Sequence, residues 1–358
     1  MAERIEAERP ARRDSADDIV LPFATIKSRV AGRIVRLGAA ADTILAGHDY
    51  PDIVSELLGE AVALTALLGA PLNEGGRLIL QTKGDGPVSF LVAHFDTPGA
   101  MRGYASFDRE RVAALGKPGA QAGAKLLGDG RMAMTIDPGG AQPSYQGIVA
   151  LEGGSLTEAA QAYFRQSEQL PTLIRLAVAR HYVGGSGEGA PDASAAQRMN
   201  APDAPDAPKA WASEGANKKG WRWRAGGLIV QHVPAAGGDP KPDETPEERD
   251  ARLHGDDDDS WLRVATLAST VEAHELIDPT LSPERLLLRL FNEEGVRVSE
   301  ALPVTARCRC SRERIHGFLK GFSDTDLADM READGAIGVT CEFCSTKYRF
   351  AEREIERS

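Results

Sequence analysis

All four cysteines of this 358-residue chain, Cys308, Cys310, Cys341 and Cys344, sit near its C-terminal end, in two close pairs. The spacing is C-x-C, thirty residues, then C-x-x-C. In a reducing compartment such a cluster points to a metal site or a redox switch rather than to structural disulfides. A C-x-x-C presents two thiolates from one turn. The C-x-C half is tighter than the usual spacer of two to four residues. Residues 304–310 read as extended, however, and positions i and i+2 of a strand project from one face. Both pairs can therefore reach one tetrahedral ion, so the expected ligands are Cys308, Cys310, Cys341 and Cys344 and the expected metal is one Zn²⁺ per chain. The metal also answers a stability problem. The segment 303–350 is of a size at which an apolar core is often insufficient. A four-thiolate zinc site contributes on the order of 10–16 kcal/mol to folding, so its removal should unfold the segment.

The same residues predict redox sensitivity. Arg307, Arg309, Arg312 and Arg314 flank the first pair and are placed to stabilise thiolates, the form that oxidants attack. Oxidation would eject zinc, because a disulfide sulfur is a poor ligand. Four cysteines allow three pairings. Two other readings compete. A thiol-disulfide oxidoreductase would use Cys341 and Cys344, but a thioredoxin-type motif belongs at a strand–helix junction. Here it lies between extended stretches, 337–340 and 347–350, which suits a metal hairpin. A zinc-ribbon nucleic-acid-binding protein would carry a basic stripe. Residues 307–349 instead hold eight Lys or Arg against seven Asp or Glu. His316 reads as a surface residue of a helix over 311–320 rather than as a ligand.

The rest of the chain narrows the class. A net charge of −11 argues against nucleic acid as the main partner. No apolar run approaches the length of a membrane-spanning helix, and the first twenty residues have no apolar signal core. These readings point to the cytoplasm. Length suggests two or three domains. Residues 1–17 read as a disordered lead-in, and 18–235 as a folded core. Strands are expected over 26–37, 77–82, 88–95, 132–136, 147–151, 172–178 and 227–231. Gly84-Asp85-Gly86-Pro87 makes a hairpin turn between the second and third of these. Helical spacing of Ile53, Leu57, Leu58, Ala61, Leu64 and Leu68 predicts a helix over 52–68 with one buried face. Ser155 and Glu158 form a capping box that opens a helix to about Gln166.

Residues 184–220 contain no Leu, Ile, Val, Phe or Tyr and read as a disordered insertion between strands. From 236 to 302 a soft stretch gives way to a helical linker. Asp256–Asp259 would cap a helix starting near Ser260–Trp261 and running to Leu276. Pro283 sits at N1 of another, over 282–291. Residues 303–354 form the cysteine segment. Strands followed by helices indicate an α+β fold: a mostly antiparallel sheet domain with packed helices, a helical linker, and a small C-terminal zinc-binding domain. No phosphate-cradling motif and no convincing Ser/His/Asp arrangement is present, so the chain reads as a non-enzyme.

With these residues in view, the sequence resembles the thirty-three-kilodalton heat-shock protein family, bacterial redox-activated holdase chaperones. The match runs from about Asp18 to Glu356. It includes His48-Asp49-Tyr50-Pro51, Met101-Arg102-Gly103, Tyr145-Gln146-Gly147, 167–172 and Ala225-Gly226-Gly227. Most specific is Cys308-Arg-Cys310-Ser-Arg-Glu-Arg314, followed by Cys341-Glu-Phe-Cys344. The resemblance implies zinc on the four cysteines in a reduced, inactive state. It implies Cys308–Cys310 and Cys341–Cys344 disulfides on oxidation, with zinc loss, unfolding of the zinc domain and linker, and a homodimer. That form would hold unfolding client proteins without ATP, with no nucleic acid and no membrane as partner. Trp261, Leu262, Leu267, Leu276, Leu286, Leu287, Leu288, Leu290 and Phe291 supply apolar content for such a surface. In the reduced state they are expected to dock on the sheet domain.

Overall fold

The computed structural model describes residues 17–28, 30–116, 122–140, 142–152, 154–183, 220–232 and 257–355. Of the expected lead-in, only Asp17 is described. The expected 184–220 insertion and the soft stretch from 236 lie outside the described residues up to 219 and 256 respectively.

The chain opens with a hairpin of β1 (Ile19–Thr25) and β2 (Val30–Leu37). The strand expected from residue 26 thus starts later, and the turn before it is tied by Thr25, whose Oγ1 meets the Ser28 carbonyl at 2.5 Å. Helices α1 (Ala39–Ala46) and α2 (Asp52–Gly69) follow. Strands β3 (Arg77–Gly84), β4 (Val88–Asp96) and β5 (Ala100–Phe107) form a meander. Two short helices come next, α3 (Arg109–Ala114) and α4 (Ala122–Leu127). Strands β6 (Gly130–Asp137) and β7 (Tyr145–Ala150) complete that sheet. Helix α5 (Leu156–Tyr163) carries the expected Ser155–Glu158 capping box and ends in a π-helical turn, Phe164–Glu168. Long strands β8 (Thr172–Val183) and β9 (Gly220–His232) pair antiparallel through their full length.

Among the described residues up to 306 the strands form two six-stranded sheets, and α2 lies between them. This placement changes the expected reading of α2. Fourteen of its eighteen residues are buried, not one face only, because each side meets a sheet. Small residues permit the approach. A Cβ on Gly59 would stand 2.7 Å from Val178 of β8, and one on Gly69 would stand 2.5 Å from Phe95 of β4. The turn between β3 and β4 is held from outside: Asp85 Oδ1 accepts from the Asp129 amide at 2.8 Å.

The outer face of the first sheet has its own cover. Helices α6 (Asp257–Ser269), α7 (Ala273–Ile277) and α8 (Pro283–Phe291) lay Val264, Ala268, Val271, Leu276, Leu286, Leu287, Leu290 and Phe291 on Leu21, Phe23, Ile34, Ala177, Leu228 and Val230. Phe291 is fully buried and its ring stacks on Phe23 at 5.6 Å. The residues alternate along each strand between this face and the α2 face, as strand geometry requires. The helix expected over 261–276 is two helices. It starts earlier, at Asp257, and breaks at Thr270–Glu272, where Glu272 and Glu275 make a capping box for α7. The fully buried Arg36 of β2 gathers the end of α7 by donating to the carbonyl oxygens of Glu275, Asp278 and Leu281. Leu262 and Leu288, by contrast, are exposed.

From α8 the chain returns along the sheets. Short strands β10 (Val296–Val298) and β11 (Leu302–Pro303) pair with β1, and β12 (Thr305–Ala306) pairs with β5. That last pairing is the one parallel ladder among the described residues. The terminal segment holds α9 (Arg312–Leu319), α10 (Asp324–Asp329), the antiparallel pair β13 (Ile337–Thr340) and β14 (Lys347–Phe350), and α11 (Glu352–Ile355). The result is an α+β fold. No helix among the described residues is long and apolar enough to cross a membrane.

Candidate metal centre

The Arg307 amide donates to the Met101 carbonyl at 2.8 Å, so Cys308 leaves directly from the edge of the second sheet. Cys310 precedes α9, whose N-cap Ser311 accepts from the Arg314 amide. Cys341 and Cys344 sit in the turn joining β13 to β14. That turn is closed by Ser345 N to Cys341 O (2.8 Å) and Cys341 N to Thr346 O (2.9 Å), with Ser345 at φ 55°. The structure brings the four cysteines together: their sulfurs all lie within 4.8 Å of one another. Cys308 and Cys341 are 3.7 Å apart, and Cys310 and Cys344 3.3 Å apart. Zn–S bonds of about 2.3 Å in a tetrahedron give sulfur–sulfur edges of about 3.8 Å. The donor set is all thiol, the soft set that suits zinc. Size and chemistry therefore fit one zinc ion.

The electrostatics ask for a cation. Hydrogen bonds from Cys341 and Cys344 hold the Cys308 thiol far below its ordinary range. The reciprocal bond to Cys308 pushes Cys341 far up, and pushes Cys344 to about 11. Burial raises Cys310 to about 11. One thiolate is thus easily held and further ones are resisted, until a divalent ion supplies the compensating charge. Backbone amides two residues on favour the thiolate at three positions: Cys310 at Cys308, Phe343 at Cys341 and Thr346 at Cys344. For Cys310 the donor is the Tyr348 hydroxyl, at 3.2 Å. Burial and the neighbouring sulfur keep that phenol protonated.

Three of the flanking arginines have partners of their own. Arg309 reaches Asp96 of β4 at 3.5 Å, Arg312 pairs with Glu354 at 2.7 Å, and Arg314 donates to the Arg309 carbonyl. His316 lies on α9 as expected, stacked on Phe350, with Nε2 2.6 Å from the Glu354 carbonyl. The segment's own core is small: Leu319, Ile337, Tyr348, Phe350 and Ile355.

A second feature escapes sequence reading. Phe343, between the second pair of cysteines, docks into the body of the protein. Its ring lies 4.1 Å from the Arg102 guanidinium carbon, 5.4 Å edge-on from His94 and 6.3 Å from Tyr104. His48 Nε2 meets its carbonyl at 3.3 Å, and Ser345 Oγ donates to the Gly47 carbonyl at 2.9 Å. Burial lowers both histidines, His94 to about 4 with Arg102 adding to the effect, so both are neutral at pH 7. His48 and His94 lie far from Phe343 in the sequence. The available signal was a large aromatic at the tip of an otherwise polar turn.

Known proteins resemble the chain along nearly its whole length. A family described as Hsp33 protein matches residues 18–351. The 33 kDa chaperonin of Caulobacter vibrioides (strain NA1000 / CB15N) is 42% identical over 334 residues, covering 93% of this chain and 94% of that protein. That of Nitrosococcus oceani is 34% identical over 331 residues, covering 92% and 90%. The crystal structure of a 33 kDa chaperonin from Thermotoga maritima shares the fold, with a TM-score of 0.65 over 94% of this chain and 96% of that one, at 21% identity.

Proposed function

This chain belongs to the Hsp33 family, and on that premise we propose that it is a redox-regulated, ATP-independent holdase of the cytoplasm. Cys308, Cys310, Cys341 and Cys344 hold one zinc ion in the reduced, inactive state. A hydroperoxide-class oxidant converts them to Cys308–Cys310 and Cys341–Cys344 disulfides, and zinc is lost. The segment 303–354 then lacks the metal that its five-residue core needs. Its unfolding loosens the linker, 236–302, from the core, 18–235. The apolar outer face of the first sheet and the inner faces of α6–α8 become the surface that binds unfolding proteins, and the oxidised chain forms a homodimer.

One observation carries this reading. The chain between the covering helices and Cys308 is a single run of edge strands, β10 to β12, stitched to both sheets. Loss of order at the cysteines thus bears directly on the helices before them. The test is light scattering from a thermally unfolding client, with zinc-loaded reduced chain and with peroxide-treated chain. Suppression by the oxidised form alone is expected. Equal scattering with both refutes it. Turnover of a disulfide substrate would favour an oxidoreductase, and salt-sensitive retention of RNA or DNA a nucleic-acid-binding ribbon.

A further inference from the structure

At one end of the sheet face beneath α6–α8, the linker is held by its backbone. Arg36 of β2 donates from Nη1 to the carbonyls of Asp278 (2.5 Å) and Leu281, and from Nη2 to that of Glu275 (2.8 Å). Arg224 of β9 donates from Nε to the Ile277 carbonyl (2.6 Å), while its two Nη groups grip Asp17 at 2.5 and 2.7 Å. Both arginines are buried. Among the described residues Arg36 bonds to carbonyls only, and its Nε is buried without an acceptor. A main chain comes this close because the sheet surface is bare here. Gly226 pairs with Arg36 on one side and with Ala177 on the other. A Cβ on Gly226 would collide with the Leu276 carbonyl. The middle glycine of Ala225-Gly226-Gly227 is thus the floor of a slot for backbone, and the two arginines are its grip.

We propose that this slot is a main-chain clamp used twice, by the linker in the covered state and by the backbone carbonyls of an unfolding client once the linker has left. The inference rests on the functional reading above and deepens it by naming the feature of a client that is recognised. Carbonyls are common to every unfolded chain, so the contact carries no side-chain preference. The apolar face beside it, with Leu21, Phe23, Ile34, Leu228 and Val230, takes the client's side chains. Undocking strips Arg36 and Arg224 of the linker carbonyls. A client backbone that meets the apolar face loses water from its own carbonyls, and these need donors in turn. The slot supplies them from charged groups, whose hydrogen bonds are stronger than neutral ones. Loss of one such bond weakens binding about tenfold or more.

The two uses predict opposite effects of one substitution. The test uses the full chain, wild type and Arg36→Met, which keeps the apolar stem and removes the donors. Amide exchange over 273–291 is read on the reduced, zinc-loaded chain. Affinity is read on the peroxide-oxidised chain, by fluorescence anisotropy of a labelled unfolded polypeptide that has no Asp or Glu and an amidated C-terminus. The expected result is faster exchange in reduced Arg36→Met, together with binding of the probe about tenfold weaker once oxidised. Faster exchange with probe binding as tight as wild type, or tighter, shows a linker clamp alone and overturns the proposal. Unchanged exchange overturns it too. So does weakening confined to a second probe that carries Glu, which would make the slot a carboxylate site. If Arg36→Met does not fold, Arg224→Gln decides by the same readouts, since it removes the donor to Ile277. Oxidised wild type that binds neither probe overturns the functional reading instead.

Discussion

Phe291 offers the sharpest perturbation of the covered sheet. Its side chain is fully buried, its ring stacks on Phe23 of β1, and its neighbours Leu286, Leu287 and Leu290 lie on the same face of α8. Truncating a buried Phe to Ala typically removes about 3–5 kcal/mol of packing. The large core around α2 lies on the other side of the sheet and is untouched by this change. The loss therefore falls on the docking of α6–α8. At 1.4 kcal/mol per tenfold, the undocked population should rise about two to three and a half orders of magnitude. Phe291→Ala, reduced and carrying its zinc, should then suppress client aggregation without oxidation, with faster amide exchange over 257–291. Leu288→Ala, on an exposed position of the same helix, should match wild type. The reasoning is refuted if exchange shows α6–α8 released in Phe291→Ala while client scattering stays as in the reduced wild type. The covered face would then not be a client surface.

Other outcomes follow from the same geometry. Phe343→Ala removes the ring that rests on Arg102, His94 and Tyr104. It should keep one zinc per chain yet speed amide exchange at Thr305 and Arg307, where β12 meets the second sheet; unchanged exchange would show that the ring does not hold the segment there. A strong chelator added to reduced chain should abolish structure over 308–355 and leave both six-stranded sheets, read by residue-resolved exchange; a segment that stays protected would contradict the metal requirement. Glu60 on α2 is raised to about 7 by burial, with Glu56 adding to the shift. Its folded-state proton is held more tightly than in the unfolded chain, so this group's contribution falls as pH rises from about 4.5 to 7, by up to about 3 kcal/mol. Glu60→Gln should flatten the decline in Tm across that window and raise Tm at pH 8; an unchanged profile would show that the carboxyl is not shielded from water.

What could be read from sequence depended on how local the determinant was. The four cysteines carried their spacing openly, and the α5 capping box and the α8 start at Pro283 are local devices. The hairpin between β3 and β4 was legible from its Gly–Asp–Gly–Pro turn, although what holds that turn, Asp129, lies over forty residues away. The division into two sheets was not legible, because it depends on what each face of α2 meets. The long helix expected over 261–276 breaks at the Glu272–Glu275 capping box, a local device, while Arg36 of β2 holds the carbonyls beyond it across some 240 positions. Arg309, Arg312 and Arg314, beside the first cysteine pair, meet Asp96, Glu354 and a carbonyl, partners that no local pattern names. The Phe343 contacts join residues some 240 to 300 positions apart, which no local pattern encodes.

The central claim is that oxidation of Cys308, Cys310, Cys341 and Cys344 uncovers the sheet beneath α6–α8. Hydrogen exchange over 257–291, compared between zinc-loaded reduced chain and peroxide-oxidised chain, tests it most directly. The account predicts protection of Val264, Ala268, Leu286, Leu287 and Phe291 amides in the reduced chain and its loss once zinc is released. Zinc release with protection of those amides intact would contradict it.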